Sequence, residues 1–495
     1  MKNWVLFIIT AIVVFLLGML SYSIMDRKTE ARFAYQPKVL LEGIEPRDSV
    51  WGLNYPRQYQ SYMKTADTTF RGYVSTSGFK DALKDQPELV IIWAGYAFSK
   101  DYNQPRGHAH AVTDVHNSLR IGAPMKAGDG VMPSTCWTCK SPDVPRLMSE
   151  MGVTEYYSKK LSDFGSEVIN PIGCADCHDS KTMNLTITRP ALIEAFEAMG
   201  KDISKASHQE MRSLVCAQCH VEYYFNKNIP GKEGAAYLVF PWKEGMTVED
   251  MERYYDNIDF ADWVHPISKA KMLKAQHPDY ELYMMGVHAK RGVSCADCHM
   301  PYKSEGGQKF TDHHIGSPLA NVENSCFVCH REKKESLIND VYERQQKIKE
   351  GSSKLQKLIA MAHIEAAKAW ELGVTEAQMK DVLTLIRHAQ WRWDFSVASH
   401  GAAFHAPLET SRMITSATDK IQEARLKLAR LLASKNFNQP VPMPDFTSKD
   451  ALQKYIGLDI PKEKAEKQVY LSQIVPQWIR DGKARESKKK ITKVN

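Results

Sequence analysis

The sequence predicts a mainly α fold with long C-terminal helices and little β-structure. Two helical stretches and one absence carry this. "TEAQMKDVLTLIRHAQWRWDFSVASHG" opens on a capping box, Thr375 to Gln378, and closes at Gly401. "SRMITSATDKIQEARLKLARLLASK" sets Met413, Ala417, Ile421, Ala424, Leu428 and Leu431 on one stripe at steps of four and three. No stretch reads as a strand-rich domain or a phosphate loop.

The chain begins "MKNWVLFIITAIVVFLLGMLSYSIMDRK". One lysine precedes an apolar run from Trp4 to Leu20, long for a signal-peptide core and just long enough to span a bilayer. Ser21-x-Ser23 is a weak cleavage site. Residues 1–25 therefore read as an export signal that can remain as a membrane anchor. Residues 26–495 then lie outside the cytoplasm, in the periplasm or its equivalent. Residues 30–135 are mixed and loop-rich, with an apolar stretch "LVIIWAGYAF" at 89–98.

From 136 to 330, short helical pieces such as "RPALIEAFEAMGKD" alternate with Cys-x-x-Cys motifs, with no Gly/Ser or Pro-rich linker between them. Four motifs read Cys-x-x-Cys-His: "CADCH" at 174, "CAQCH" at 216, "CADCH" at 295 and "CFVCH" at 326. This is the signal for c-type haem, in which two thiols bond the porphyrin and the histidine binds iron. In "CWTCK" at 136, Lys140 replaces the histidine. The five motifs use all ten cysteines: Cys136, Cys139, Cys174, Cys177, Cys216, Cys219, Cys295, Cys298, Cys326 and Cys329. Zinc would pair the motifs, strand the fifth and leave four histidines at constant offset unexplained. The 136 motif taken alone also suits a structural or redox cysteine pair. Taken together, the motifs predict five covalent haems in a compact multihaem cytochrome c fold.

Seventeen histidines are present. His178, His220, His299 and His330 are proximal ligands by position. A haem that only carries electrons normally has a second strong axial ligand, and spacing cannot select it. Lysine ligates iron only as a neutral amine, so its proton must be displaced. That cost marks the Lys140 haem as the open, catalytic one. The formal charge is +7, and five haems at about −1 each would leave roughly +2, so charge says little about the substrate. No nucleic-acid partner is expected, and the basic end "ARESKKKITKVN" reads as a frayed, solvated tail.

The chain resembles the pentahaem cytochrome c nitrite reductases, which reduce nitrite to ammonium. "LVIIWAGYAFSKDYNQPRGHAHAVTDV", "CWTCKSPDV", "CAQCHVEYYF", "MLKAQHPDYE", "CADCHMP", "TDHHIGSP" and "RHAQWRWDFSVASHG" carry the resemblance across nearly the whole chain after residue 50. It implies that Arg120 holds the anion at the Lys140 haem and that Tyr223 and His277 complete the pocket. It implies one calcium ion, on the side-chain oxygens of Glu222 and Gln276 and the backbone carbonyls of Tyr223 and Lys274. It implies distal ligands too: His313 for the haem at 174, His108 for 216, His405 for 295 and His288 for 326. His110 and His314 are neighbouring alternatives. His116, His208, His265, His363, His388 and His400 read as surface, core or supporting residues, with His400 nearest to a haem role.

The expected organisation is an anchor at 1–25 and a pentahaem catalytic domain at 26–495. The domain comprises a haem-binding core at about 105–335, long helices at about 336–436 and a C-terminal tail at 437–495. The resemblance implies a homodimer, for which the 413–431 stripe is the candidate contact. It also implies an external donor, a membrane quinol dehydrogenase or a soluble multihaem cytochrome. Two rival readings are a pure electron carrier with five six-coordinate irons, and the same enzyme class acting on hydroxylamine or sulfite.

Overall fold

The computed structural model describes residues 2–34, 37–74, 76–305 and 308–494. It is 58% helical with 6% strand, which makes the fold mainly α. Helix α1, Asn3–Ala34, is apolar on every side from Trp4 to Leu20, and Leu6, Phe7, Phe15 and Leu16 are all exposed. Within Asn3–Lys28 an 18-residue window has mean hydropathy 2.7, and none of that window is buried. The 26 residues of Asn3–Lys28 span about 39 Å at 1.5 Å each, more than the ~30 Å hydrocarbon core of a bilayer.

In the body, α2 is His208–Ala217 and α3 is Val248–Asn257. Three long helices follow: α4 (Lys334–Glu371), α5 (Glu376–Ala398) and α6 (Pro407–Ser434). The capping box at α5 forms as expected, with Gln378 N–H donating to Thr375 Oγ1 at 3.4 Å and Thr375 N–H to Gln378 Oε1 at 3.0 Å. The helix stops at Ala398, three residues short of Gly401, because Ser399 turns out of helical backbone and gives its hydroxyl to Asp279.

The 413–431 stripe is core, not a dimer contact. Met413, Ala417, Ile421, Ala424 and Leu428 are fully buried where α6 packs on α4 and α5 of the same chain. Leu431 is only half-buried, and Leu432 takes the last core position. Leu89–Ile92 joins this core as a short buried helix. A second core surrounds Trp137, Tyr156 and Trp242 in the Cys-motif region.

The strands among the described residues form two-stranded antiparallel ribbons. Tyr224–Asn226 pairs with Tyr237–Val239, and Trp263–Val264 pairs with Lys271–Met272. These two ribbons tie down the loops that carry Tyr223 and Lys274.

The basic end is solvated as expected, with residues 487–494 all exposed, but its backbone is tied down rather than frayed. Helices α7 (Ile460–Val469) and α8 (Val475–Ser487) flank a π-helical turn at Tyr470–Ile474, and Tyr470 is fully buried. Leu40 N–H donates to the Thr492 carbonyl at 2.9 Å, and Val494 N–H to the Lys38 carbonyl at 3.0 Å. Backbone pairing with 38–40 offsets the repulsion expected of a basic tail.

Candidate haem and active site

All ten cysteines line one connected cavity of about 2880 Å³. Lys140, His178, His220, His299, His330, His108, His288, His313 and His405 line it too, together with Arg120, Tyr223, Gln276 and His277. A fifth of that volume, about 580 Å³, lies within the ~300–1,000 Å³ of a single ligand pocket.

Inside it, the histidines face each other in pairs. Ring centroids are 6.2 Å apart for His178 and His313, and 6.2 Å for His220 and His108. They are 6.4 Å apart for His299 and His405, and 6.4 Å for His330 and His288. Two metal–imidazole bonds of about 2 Å, plus about 1.1 Å from each nitrogen to its ring centre, span about 6.3 Å. Each pair therefore fits one metal ion between its rings, next to a Cys-x-x-Cys that would bond a porphyrin. His108 and His313 take these places; His110 instead bonds the Ala66 carbonyl at 3.1 Å.

The rings are prepared as donors. Burial pushes His108 down to about 3, and His313 and His405 to about 4, which keeps them in the neutral form that binds metal. Nδ1 is steered by a hydrogen bond in several rings: His178 to the Met183 carbonyl (2.9 Å), His299 to the Gly316 carbonyl (2.9 Å), His313 to the Thr311 carbonyl (2.8 Å). His108 and His405 have buried Nδ1 atoms with no hydrogen-bond partner, donor groups still short of an acceptor or a metal. Two glycines give His405 its room: a Cβ at Gly401 would strike its ring, and one at Gly286 its carbonyl. These observations fit haem c at the four histidine motifs.

The motifs adjoin. Cys139 lies against Cys219, and Cys216 against Cys295. Ser325 Oγ donates to the Cys298 carbonyl at 2.8 Å, and Gln218 Nε2 to the Asp176 carbonyl at 2.8 Å. The 136, 216, 295 and 326 motifs thus follow one another in space, with the 174 motif joined beside 216.

Around Lys140 the cavity has a different lining. Arg120 N–H donates to Asp101 Oδ1 at 3.0 Å, its Nη1 to the Asp101 carbonyl at 3.4 Å, and its guanidinium lies 4.8 Å from the Phe98 ring centre. Tyr223 and His277 face each other with centroids 6.5 Å apart. Burial raises the Tyr223 phenol well above its usual range. Burial, then the Lys140 charge, holds His277 well below the ordinary imidazole value. An anion placed here meets one fixed cation and two proton-bearing side chains.

Glu222 is buried beside this pocket. Its carboxylate accepts from Gln276 N–H at 2.6 Å and from Tyr255 OH at 3.0 Å. Gln276 Nε2 donates to the Lys274 carbonyl at 3.1 Å, and turning that amide over would set two oxygens side by side. The Lys274 ammonium is engaged elsewhere, on Asp394 at 2.8 Å. Burial raises Glu222 well above its usual range, Glu281 to about 8 and Asp262 to about 7. Among the described residues, no three His, Cys, Asp or Glu side chains form a metal cluster. The set that the resemblance implies for calcium instead combines a carboxylate, an amide and carbonyls, and a hard cation there would relieve the buried carboxyl groups.

The remaining histidines divide. His116 bonds Tyr470 at 2.6 Å, His388 bonds Asp256 at 2.7 Å, and His265 stacks on His363 at 3.8 Å in the helical core. His208, His314 and His400 line the cavity without facing a ring partner across a haem-sized gap. Sequence reasoning missed Asp279, which accepts from His220 Nδ1 at 3.1 Å and from Ser399. Its place in "QHPDYE", two residues after His277, was the only signal. It also missed Asp101, Asp262 and Glu281, whose roles depend on contacts across the fold.

The cavity, its cysteines and its ring pairs extend over most of the chain, and so does the similarity to known proteins. The chain is 56% identical over 481 residues to cytochrome c-552 of Parabacteroides distasonis, covering 97% of this chain and 96% of that one. It is 55% identical over 484 residues to cytochrome c-552 of Bacteroides fragilis, covering 98% and 97%. Its fold matches cytochrome c nitrite reductase of Desulfovibrio desulfuricans, a catalytic subunit with two calcium sites, at TM-score 0.74 and 32% identity over 85% of this chain and 90% of that one. Residues 48–489 match the cytochrome c552 family, and with relatives this similar over this length the chain belongs to that family.

Proposed function

We propose that this chain is an ammonia-forming cytochrome c nitrite reductase with five haems, four held by histidine pairs and one by Lys140. The balanced reaction takes nitrite, six electrons and eight protons to ammonium and two waters. The carrying observation is that Arg120, Tyr223 and His277 converge with Lys140, Cys136 and Cys139 on a cavity that also holds four facing histidine pairs.

Haem bound at the Lys140 motif would supply the iron that binds and reduces nitrite. The chain supplies the rest. Cys136 and Cys139 would attach that haem, and Lys140 would take its proximal side. Arg120, pinned by Asp101, holds the substrate anion and the charge that builds as oxygen leaves. Tyr223 and His277 are positioned to pass protons to those oxygens. Glu222, Gln276 and the Tyr223 and Lys274 carbonyls would hold one calcium ion, which orders the loops that carry Tyr223 and His277. The other four motifs, arranged in contact, would carry electrons from an external donor such as a multihaem cytochrome or a membrane quinol dehydrogenase. Helix α1 supports a periplasmic enzyme anchored to the membrane. The reading includes a homodimer whose contact uses a face other than Met413–Leu428.

The test is direct. Purified holoprotein is given a low-potential electron donor and nitrite, and ammonium is quantified against electrons consumed. Six electrons per ammonium support the reading. No ammonium, together with a ferric spectrum that is wholly low-spin, would establish a pure electron carrier instead.

A further inference from the structure

Lys140 lacks something the proximal histidines have. His178, His299 and His220 are each steered through their own ring nitrogen, by the Met183 carbonyl, the Gly316 carbonyl and Asp279. A lysine has no second ring nitrogen, and its four-carbon stem rotates freely. Its aim must be set through the main chain.

One buried guanidinium grips that main chain on both sides. Arg189 Nε donates to the Thr138 carbonyl at 2.7 Å, and Nη2 donates to the Ser141 carbonyl at 2.9 Å. Nη2 also reaches Asp176 Oδ1 at 2.5 Å, within the 174 motif, and Nη1 reaches Thr188 Oγ1 at 2.5 Å. Arg189 is fully buried. The segment is held from within as well, by Lys140 N–H donating to the Trp137 carbonyl at 2.9 Å. Spanning two carbonyls and a carboxylate at once takes a rigid fork of donors, which a guanidinium has and an ammonium lacks.

We propose that Arg189 is the positioning residue for Lys140, fixing the carbonyls on either side so that the amine meets one point in the cavity. This rests on the reading of Lys140 as an axial haem ligand. It adds that the lysine haem depends on Arg189 through its ligand, the haem at 174 is touched only through Asp176, and the haems at 216, 295 and 326 do not depend on it.

The experiment uses holoprotein carrying Arg189→Gln or Arg189→Lys, each alone and combined with Lys140→His. Haems are counted by mass, spin states are read by electron paramagnetic resonance, and kcat and KM are measured for nitrite. In Arg189→Gln, five haems and four low-spin signals should remain, while the high-spin signal shifts or splits. Loss of an outer-shell partner of a metal ligand typically costs about 10–100-fold, here expected in kcat with KM unchanged. Arg189→Lys should fall between wild type and Arg189→Gln. With Lys140→His present, Arg189→Gln should cause no further loss, the non-additivity of two residues acting as one. An unchanged high-spin signal overturns the proposal. So does equal disturbance of all five haems, or full loss repeated in the Lys140→His background. If Arg189→Gln does not mature, Arg189→Lys decides by the same signals. A wild-type protein with no high-spin haem removes the Lys140 reading itself, and that is seen before any Arg189 variant is compared.

Discussion

The His299 and His405 rings face each other across 6.4 Å with their planes at 72°, one from a Cys-x-x-Cys-His motif and the other from the turn that leads into α6. Nothing local links them. Replacing His405 with Ala should open one axial position on the haem at 295 and leave His299 as its only protein ligand. One low-spin ferric signal of four should convert to high-spin, and electron delivery should slow. Nitrite binding at the Lys140 haem should persist. Four intact low-spin signals in the variant would exclude His405 as the ligand.

His277→Ala is the contrasting case. It removes an acid–base group from the pocket without touching an axial position, and help of this kind is typically worth about 10²–10⁴ in rate. The turnover number should fall by that order while every low-spin signal stays unchanged. Altered ligation of a low-spin haem would reassign His277 to the electron-carrying set.

Calcium should stabilise as well as activate. Strong chelation should lower nitrite reduction and leave five haems attached, and added calcium should restore it. At 100 times its dissociation constant, a bound ion adds about 2.7 kcal/mol to the folded state. Thermal unfolding with and without chelator measures this, and Glu222→Gln should shrink the difference. Metal analysis of fully active protein that finds no calcium would end the proposal.

Acid should loosen the helical core at a place remote from the cavity. His265 and His363 are fully buried and stacked, with His363 bonded to Ser268 and Gln390. Burial pushes His363 down to about 4 and His265 well below its usual value. The unfolded chain binds protons at these rings from about pH 6.5 downward while the folded chain does not, so stability falls as pH drops. For His363 the loss reaches about 3 kcal/mol near pH 4, at 1.36 kcal/mol per pKa unit. Denaturation at pH 7 and pH 4.5 should show it. His363→Gln, which keeps amide hydrogen-bonding groups, should give a shallower pH dependence; an equal slope would place the acid sensitivity elsewhere.

Helix α1 should act only as an anchor. Exchanging residues 1–28 for a cleavable export signal should move the protein from the membrane to the soluble fraction with its haem spectra unchanged. Retention on the membrane would point to a second attachment.

The sequence by itself determined the five Cys-x-x-Cys motifs on which the haem reading rests. Cys-x-x-Cys and the residue that follows act within one helical turn, so thiol count, the proximal side chains and the odd status of Lys140 were legible in five short strings. The mainly α character, the capping box at Thr375 and the apolar length of α1 were legible for the same reason: each depends on neighbours a few residues away. Tertiary structure decided everything that needs a partner from elsewhere. Periodicity showed that Met413 to Leu428 share a face, but not that α4 and α5 of the same chain cover it. Local sequence left His108 against His110 and His313 against His314 open, a choice that only family resemblance addressed. The fold sets His108 opposite His220 and His313 opposite His178, each 6.2 Å apart. Asp279 beneath His220, Asp101 beneath Arg120 and Arg189 behind Lys140 left no motif at all. Their roles come from hydrogen bonds a few ångströms long, and such bonds depend on distance in space, which chain position does not encode.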